Sequence, residues 1–294
     1  MENTEIVKRL SYLVKSYERI TKVIAQTRQT GLAYGILVED ADDDVDLILK
    51  GNGKEVGMLT VKGRLSREIE KELPQWDVWE RWLKYVPGIG PAIGAKLILM
   101  FNYRSVAVCK DCGGMLEKED KQLICQECGK TAKDGLLKYR IERRDYATIS
   151  KWWAYMGRHT VDGIMPKRKS GELANWSTEG RTLGFHIGDQ FNRQKESNPY
   201  KALLLEHKAK HQRNHPEWSK GHVHNAAKNE VVKIFLAHFW TISRTLEGKE
   251  VSEPYAGAIM GHTNIIKPPF WEESEASSEI QFHCASHSAV EMRA

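Results

Sequence analysis

The sequence predicts a mainly α-helical fold interrupted by a small cysteine-rich insertion, and three observations carry that expectation. Apolar residues recur at helical spacing through the first 33 positions, a glycine-punctuated turn joins two further helical patterns near residue 90, and four of the five cysteines fall in two Cys-x-x-Cys pairs. A chain of 294 residues can bury a substantial core and corresponds to about two structural units.

Between residues 4 and 33, Ile6, Leu10, Leu13, Val14, Tyr17, Ile20, Val23 and Ile24 are separated by Lys, Arg and Glu, the pattern of one long amphipathic helix. Such a stripe needs a partner, so residues 1–79 are expected to form an oligomerisation unit that makes a homodimer or a higher oligomer. The acidic run Asp40, Asp42, Asp43, Asp44 and Asp46 reads as a solvated loop. In "LILKGNGKEVGMLTV" two β-rich segments flank Gly51, Asn52 and Gly53, which predicts a β-hairpin. Helix resumes at "SREIEKEL", with Ser66 expected as its N-cap and Glu68 in its first turn, until Pro74 breaks it.

The stretch "YVPGIGPAIGAKLILMF" then places Gly88, Gly90 and Gly94 at and just after a sharp bend. Two readings stay open at this point. The turn can be a packing bend between core helices, or the second helix can offer its unpaired N–H groups and positive dipole end to a phosphate oxygen, with Lys96 one turn further on. No Gly-Lys-Ser/Thr follows, so the spacing is not that of a nucleotide-binding P-loop. The segment resembles the helix-hairpin-helix motif, an apolar residue followed by Pro-Gly-Ile-Gly and, four positions later, a small residue, which here is Gly94.

The pairs Cys109-x2-Cys112 and Cys125-x2-Cys128 are separated by the length of a short hairpin, each with Gly after its second cysteine. Four thiolates converging in this way predict a tetrahedral zinc site with no open position, hence a structural Zn2+ in a zinc ribbon spanning 104–135. The chain carries a formal net charge of +5, and its last part is acidic, so the body is more basic than the total and favours a polyanion, DNA first. No apolar run is long enough to span a bilayer and the N-terminus is charged throughout, which argues against a membrane partner and for a cytoplasmic location. Residues 268–294 read as a flexible acidic tail in which Cys284 is a free thiol.

Further along, "DYATISKWWAYMG" is helical, "RHTVDGIMPKRKSGELANWSTEGR" is a basic loop leading into a helix start, and the segment from Pro199 to Leu246 is helix-rich with a turn at Pro216. His207 and His211 have the i, i+4 spacing that can bind zinc, but without the Glu of the zinc-protease pattern they read as part of a basic helix face. Trp152, Trp153, Trp176, Trp218 and Trp240 read mostly as core, with stacking on a base as the alternative for Trp176, which lies near Ser170 in the loop.

The order of these motifs resembles the C-terminal domain of the insertion-sequence 110/116/902 transposase family. The residues that carry the likeness are Val86 to Ile98, Arg144 to Gly157, Ser170 with Gly171, and Gly180 with Arg181. The resemblance spans residues 80–103 and 136–267, the ribbon being an insertion. It implies that Ser170 is the nucleophile that attacks a DNA phosphodiester, that Lys167, Arg168, Lys169, Gly171 and Arg181 hold DNA, and that the domain works with a RuvC-like nuclease or a guide RNA. Residues 1–79 are too short and too helical for the RuvC-like half of that family. The expected function is therefore DNA binding through the hairpin and the basic loop, with an active Ser170-dependent strand transferase and a protein-interaction scaffold as alternatives.

Overall fold

Apolar periodicity puts the first helix where the sequence expects it. In the computed structural model, which describes residues 4–34, 44–119, 122–132, 138–160, 165–171, 174–251 and 266–271, helix α1 runs Thr4–Ala33 and buries Val7, Leu10, Leu13, Val14 and Ile24. The stripe finds its cover within the chain: α1 packs on α3 (Met58–Glu72) and α5 (Pro91–Asn102), with Arg9 bridging to Glu72 at 2.9 Å. Tyr12, Val23 and Leu32 are its large exposed apolar residues, with Tyr34 exposed just past its end.

The hairpin expected around Gly51 is not there. Residues Asp44–Lys50 form helix α2, whose Val45 and Leu49, four apart, bury against Ile24 of α1 with Ile20 and Met58 packed alongside. The Gly-Asn-Gly turn forms, but the elements that flank it are helices and not strands. Asn52 Oδ1 accepts from the N–H groups of Lys54 and Glu55, at 2.8 and 2.7 Å, yet the turn joins two helices through a single bridge between Gly51 and Val56. Helix α3 accordingly starts at Met58 with Gly57 as its N-cap, so Ser66 and Glu68 lie inside the helix and neither caps it. Of the acidic run, Asp46 pairs with Lys50 at 2.5 Å, while Asp40, Asp42 and Asp43 lie outside the described residues.

Pro74 ends α3 as expected, in a 3-10 turn over Leu73–Gln75. A short helix α4 (Asp77–Arg81) and a second 3-10 turn (Leu83–Tyr85) lead to the glycine bend and α5. The cysteine-bearing insertion follows on a two-stranded stalk, β1 (Tyr103–Val108) paired antiparallel with β5 (Lys138–Arg143), and its tip carries the small antiparallel sheet β2 (Leu116–Glu119), β3 (Gln122–Cys125) and β4 (Thr131–Ala132). Helix α6 (Ile149–Tyr155), capped by Thr148, returns the chain to the core.

Three long helices complete the body: α7 (Thr178–Arg193) capped by Ser177, α8 (Pro199–Asn214) capped by Asn198, and α9 (Lys220–Leu246) capped by Ser219. Helix α9 is the axis of the core, burying Val223, Ala227, Val231, Val232, Phe235, Leu236, Phe239, Trp240 and Ile242 against α4, α6, α7 and α8. One contiguous apolar cluster extends from Val7 in α1 to Ile242 in α9. Residues 268–271, expected as the start of a flexible tail, are instead docked: Trp82 Nε1 donates to the carbonyl of Pro269 at 2.8 Å and the Arg81 guanidinium lies over the Trp271 ring.

This docking also satisfies a buried histidine. Tyr200 Oη and His238 Nδ1 lie 2.9 Å apart, and His238 Nε2 reaches the carbonyl of Ile266 at 2.8 Å, so Nε2 carries the proton and Nδ1 accepts from the tyrosine. Burial pushes the His238 pKa from 6.5 down to about 4, against the opposing effect of the Ile266 carbonyl. The folded state therefore holds His238 neutral where the unfolded chain would protonate it. Its contribution is complete above pH 6.5 and is lost as pH falls towards 4, a total of about 3 kcal/mol. Urea midpoints measured between pH 7 and pH 4.5 should fall for the wild type, and His238→Gln should flatten that dependence.

Candidate metal centre and nucleic-acid interface

The cysteines meet as their spacing demands. The four Sγ atoms of Cys109, Cys112, Cys125 and Cys128 lie within 4.8 Å of one another, with Cys109 to Cys128 at 3.7 Å and Cys112 to Cys125 at 3.3 Å. These separations are far beyond a disulfide and close to the roughly 3.8 Å edge of a tetrahedron with about 2.3 Å metal–sulfur bonds. The two turns are built alike: Cys109 accepts from the N–H of Gly113 and donates to the carbonyl of Gly114, and Cys125 does the same with Gly129 and Lys130. Backbone N–H groups of Cys112 and Asp111 directed at Cys109 lower its thiol to about 7. The cluster can hold a metal ion, and it is the one such group among the described residues. Its support reaches beyond the expected bounds, since the stalk strands begin at Tyr103 and end at Arg143.

The glycine bend is a β-turn, Val86 to Ile89, closed by the Ile89 N–H on the Val86 carbonyl at 3.0 Å. Pro87 at its second position and Gly88, with φ of +97°, at its third are the residues a type II turn requires. Asn198 Nδ2 donates to the Pro87 carbonyl at 3.2 Å, and a Cβ on Gly88 would lie 3.2 Å from Gln194 and 3.3 Å from Gln190, so the bend rests on the end of α7 and the start of α8. Gly90 is the exposed N-cap of α5 with open space around it. Gly94 is a packing glycine, because a Cβ there would meet the Trp79 ring at 2.5 Å. Lys96 is held by Glu18, with Glu179 at 4.0 Å and only 15% of its side chain exposed, so its charge is spent within the fold.

The basic loop behaves differently. Lys167, Arg168, Lys169, Ser170 and Gly171 are all exposed, and Lys167 and Arg168 join Trp176, Thr178, Arg181, Thr182 and Phe185 around an open cleft of about 470 Å³. Arg181 is fixed in place by its Nη1 donating to the Pro166 carbonyl at 2.6 Å and by stacking over the Trp176 ring. Behind it lies Arg158, 5% exposed, which donates to Asn229 and to the carbonyl of Arg181. Burial and the neighbouring Arg181 lower the Arg158 pKa to about 10. Among the described residues no carboxylate pairs with Arg158, Lys167, Arg168 or Arg181. Lys167, Arg168 and Arg181 therefore gather positive charge at the cleft with no described carboxylate against them.

Ser170 is exposed in the same loop but is not among the residues lining the cleft, and among the described residues no side chain hydrogen-bonds it. His159 packs on the Trp176 ring at 6.1 Å, and its buried Nδ1 has no partner among the described residues. Sequence reasoning missed Phe185, Thr178, Thr182 and Arg158. A signal for them was present in Gly180, Gly184 and Gly188, which repeat every four residues and give α7 a face of minimal bulk. Cβ atoms there would meet Met156, Arg158 and Lys228 at 2.9, 2.6 and 2.4 Å, so that face is turned inward and Thr178, Arg181, Thr182 and Phe185 are turned out.

The predicted histidine pair does converge, on an acid and not on a polyanion. His207 Nδ1 and His211 Nε2 lie 2.5 and 3.2 Å from one Glu230 oxygen, and His215 and His222 sandwich Trp218 with ring centroids 4.0 Å away on each side. The two histidines of the expected basic face are thus taken up by Glu230 of α9, while Lys210, Arg213 and Lys220 stay exposed.

Compared with protein-family models, with curated proteins and with solved structures, the chain matches none. Replacing Gly94 by Ala should drive a methyl into Trp79 and cost about 1–3 kcal/mol, whereas Gly90→Ala should cost less than about 1 kcal/mol. Thermal unfolding of the two variants checks this contrast.

Proposed function

We propose that the protein binds DNA by its backbone, through the cleft on α7 and the basic loop above it. The observation that carries the reading is the set of cations lining the cleft, Arg181, Lys167 and Arg168, with Arg158 buried behind Arg181, none of which has a carboxylate partner among the described residues. Arg181, which faces the cleft, is held in place by the Pro166 carbonyl and the Trp176 ring, and phosphate is the anion that a planar, fixed guanidinium suits best. The exposed Lys167 and Arg168 of the loop extend the same field outward, as a polymeric anion needs.

The bend resembling a helix-hairpin-helix is a second contact in this proposal, supported by the exposed Pro87 and Gly90 at the start of α5. It meets α7 at Gln190 and Gln194, on the flank away from Thr178, Thr182 and Phe185. Two contacts on different flanks of one helix suit bent or branched DNA better than a straight duplex. The succession of bend, Ser-Gly loop and Gly-Arg helix start supports descent from the transposase family as part of the same reading. In it the four-cysteine cluster takes a structural zinc, the ion matched by four thiolates and no open position.

Two measurements test these statements. Affinity for a branched or duplex DNA, followed by fluorescence anisotropy, should fall steeply with salt, with a log–log slope of about −0.9 per phosphate contacted, and Lys167→Ala with Arg168→Ala should reduce the slope by about 2. Salt-independent binding, or none, would refute the proposal. Elemental analysis should give about one zinc per chain, and Cys109→Ser should lose the metal and the amide protection of the ribbon while the helical core persists.

A further inference from the structure

The cleft holds more than charge. Phe185 is 48% exposed, an unusual setting for a phenyl ring on a well-packed helix, and it lines the cleft together with the half-buried Trp176. The ring is braced from behind: the Lys228 ammonium sits 3.8 Å from its centroid and is itself held by Asp189 at 2.8 Å, with 8% of the lysine side chain exposed. Lys228 reaches that position because Gly188 leaves room for its chain. On the other wall Trp176 carries the Arg181 guanidinium, which the Pro166 carbonyl orients.

A backbone-only grip on duplex DNA has no use for such surfaces, since the faces of paired bases are covered by their neighbours in the stack. An unpaired base has both faces free, and flat aromatic and guanidinium surfaces beside a cationic loop are the usual platform for one. The volume of about 470 Å³ lies in the range of pockets that take a small ligand. Thr178 and Thr182 put hydroxyls on the floor, with Thr182 Oγ1 donating to the Thr178 carbonyl, so polar edges have partners without a fixed donor and acceptor pattern.

We infer that the cleft takes one unpaired nucleotide of a single-stranded or branched DNA, its base stacked on Phe185 and its phosphate on Arg181 and the Lys167–Arg168 loop. The inference rests on the nucleic-acid reading above and names the form of substrate that reading leaves open. The order of affinity should follow the supply of unpaired bases, single strand or gapped duplex before intact duplex, with little preference among sequences.

The test compares a labelled 20-nucleotide single strand with its matching intact duplex, for the wild type, Phe185→Ala and Phe185→Tyr. Because Phe185 is half exposed, both variants should keep the wild-type melting temperature, which is measured alongside. Phe185→Ala should weaken single-strand binding about 5- to 100-fold and duplex binding less than about 2-fold, and Phe185→Tyr should restore the single-strand affinity. Equal weakening of both substrates, or unchanged single-strand binding in Phe185→Ala, overturns the inference while salt-dependent duplex binding leaves the DNA-binding proposal standing. If the wild type binds neither substrate, both fall together.

Discussion

The structure depends on one aromatic contact made across a gap in the sequence. Phe101, at the end of α5, meets Trp152 of α6 and Phe239 of α9 in edge-on contacts, each with centroids 5.1 Å apart. Between Phe101 and Trp152 the chain leaves the core, builds the cysteine cluster and comes back. The edge-to-face packing of three large rings closes that excursion, and truncating any one of them would cost about 3–5 kcal/mol. Trp240 Nε1 donating to the Tyr146 carbonyl at 2.7 Å ties the same point from the other side. With the two ends of the insertion held together, β1 and β5 can pair and the ribbon can stand away from the helices.

The same junction sets the candidate site. Once α6 is fixed against α9, Gly157 with its positive φ turns the chain so that Arg158 enters the groove beside Gly184. Gly157 also lets the Trp176 ring come close, a Cβ there being 2.7 Å from it. Arg158 then faces Arg181 across the backbone of α7, and the Trp176 ring lies under Arg181. The cleft is thus the outer consequence of a glycine-lined inner contact, and its charge is concentrated because the body supplies an arginine from below as well as from the loop above.

Sequence reasoning and tertiary structure divide the protein unevenly. Elements whose signal is periodic and long, α1 and α9, were legible because burial of a continuous stripe dominates their energetics. The α2 region was not: "LILK" has the aliphatic content of a strand, and only contact of Val45 and Leu49 with Ile24 decides for helix. Capping misled in the same way at Ser66, where a good cap residue lies inside a helix already begun at Met58. Lys96 looked available for phosphate and is held by Glu18, a partner 78 residues away.

What the sequence by itself determined is the chemistry that local spacing dictates. Two Cys-x-x-Cys turns bring four thiolates to one point, Pro87 and Gly88 make the bend, and Pro74 ends a helix, because each depends on neighbours a few bonds away. Only the tertiary structure decided which charges remain uncompensated, since that depends on whether a distant carboxylate is brought within reach. It brought Glu18 to Lys96 and Glu230 to His207 and His211, and among the described residues it brought none to Arg158 and Arg181.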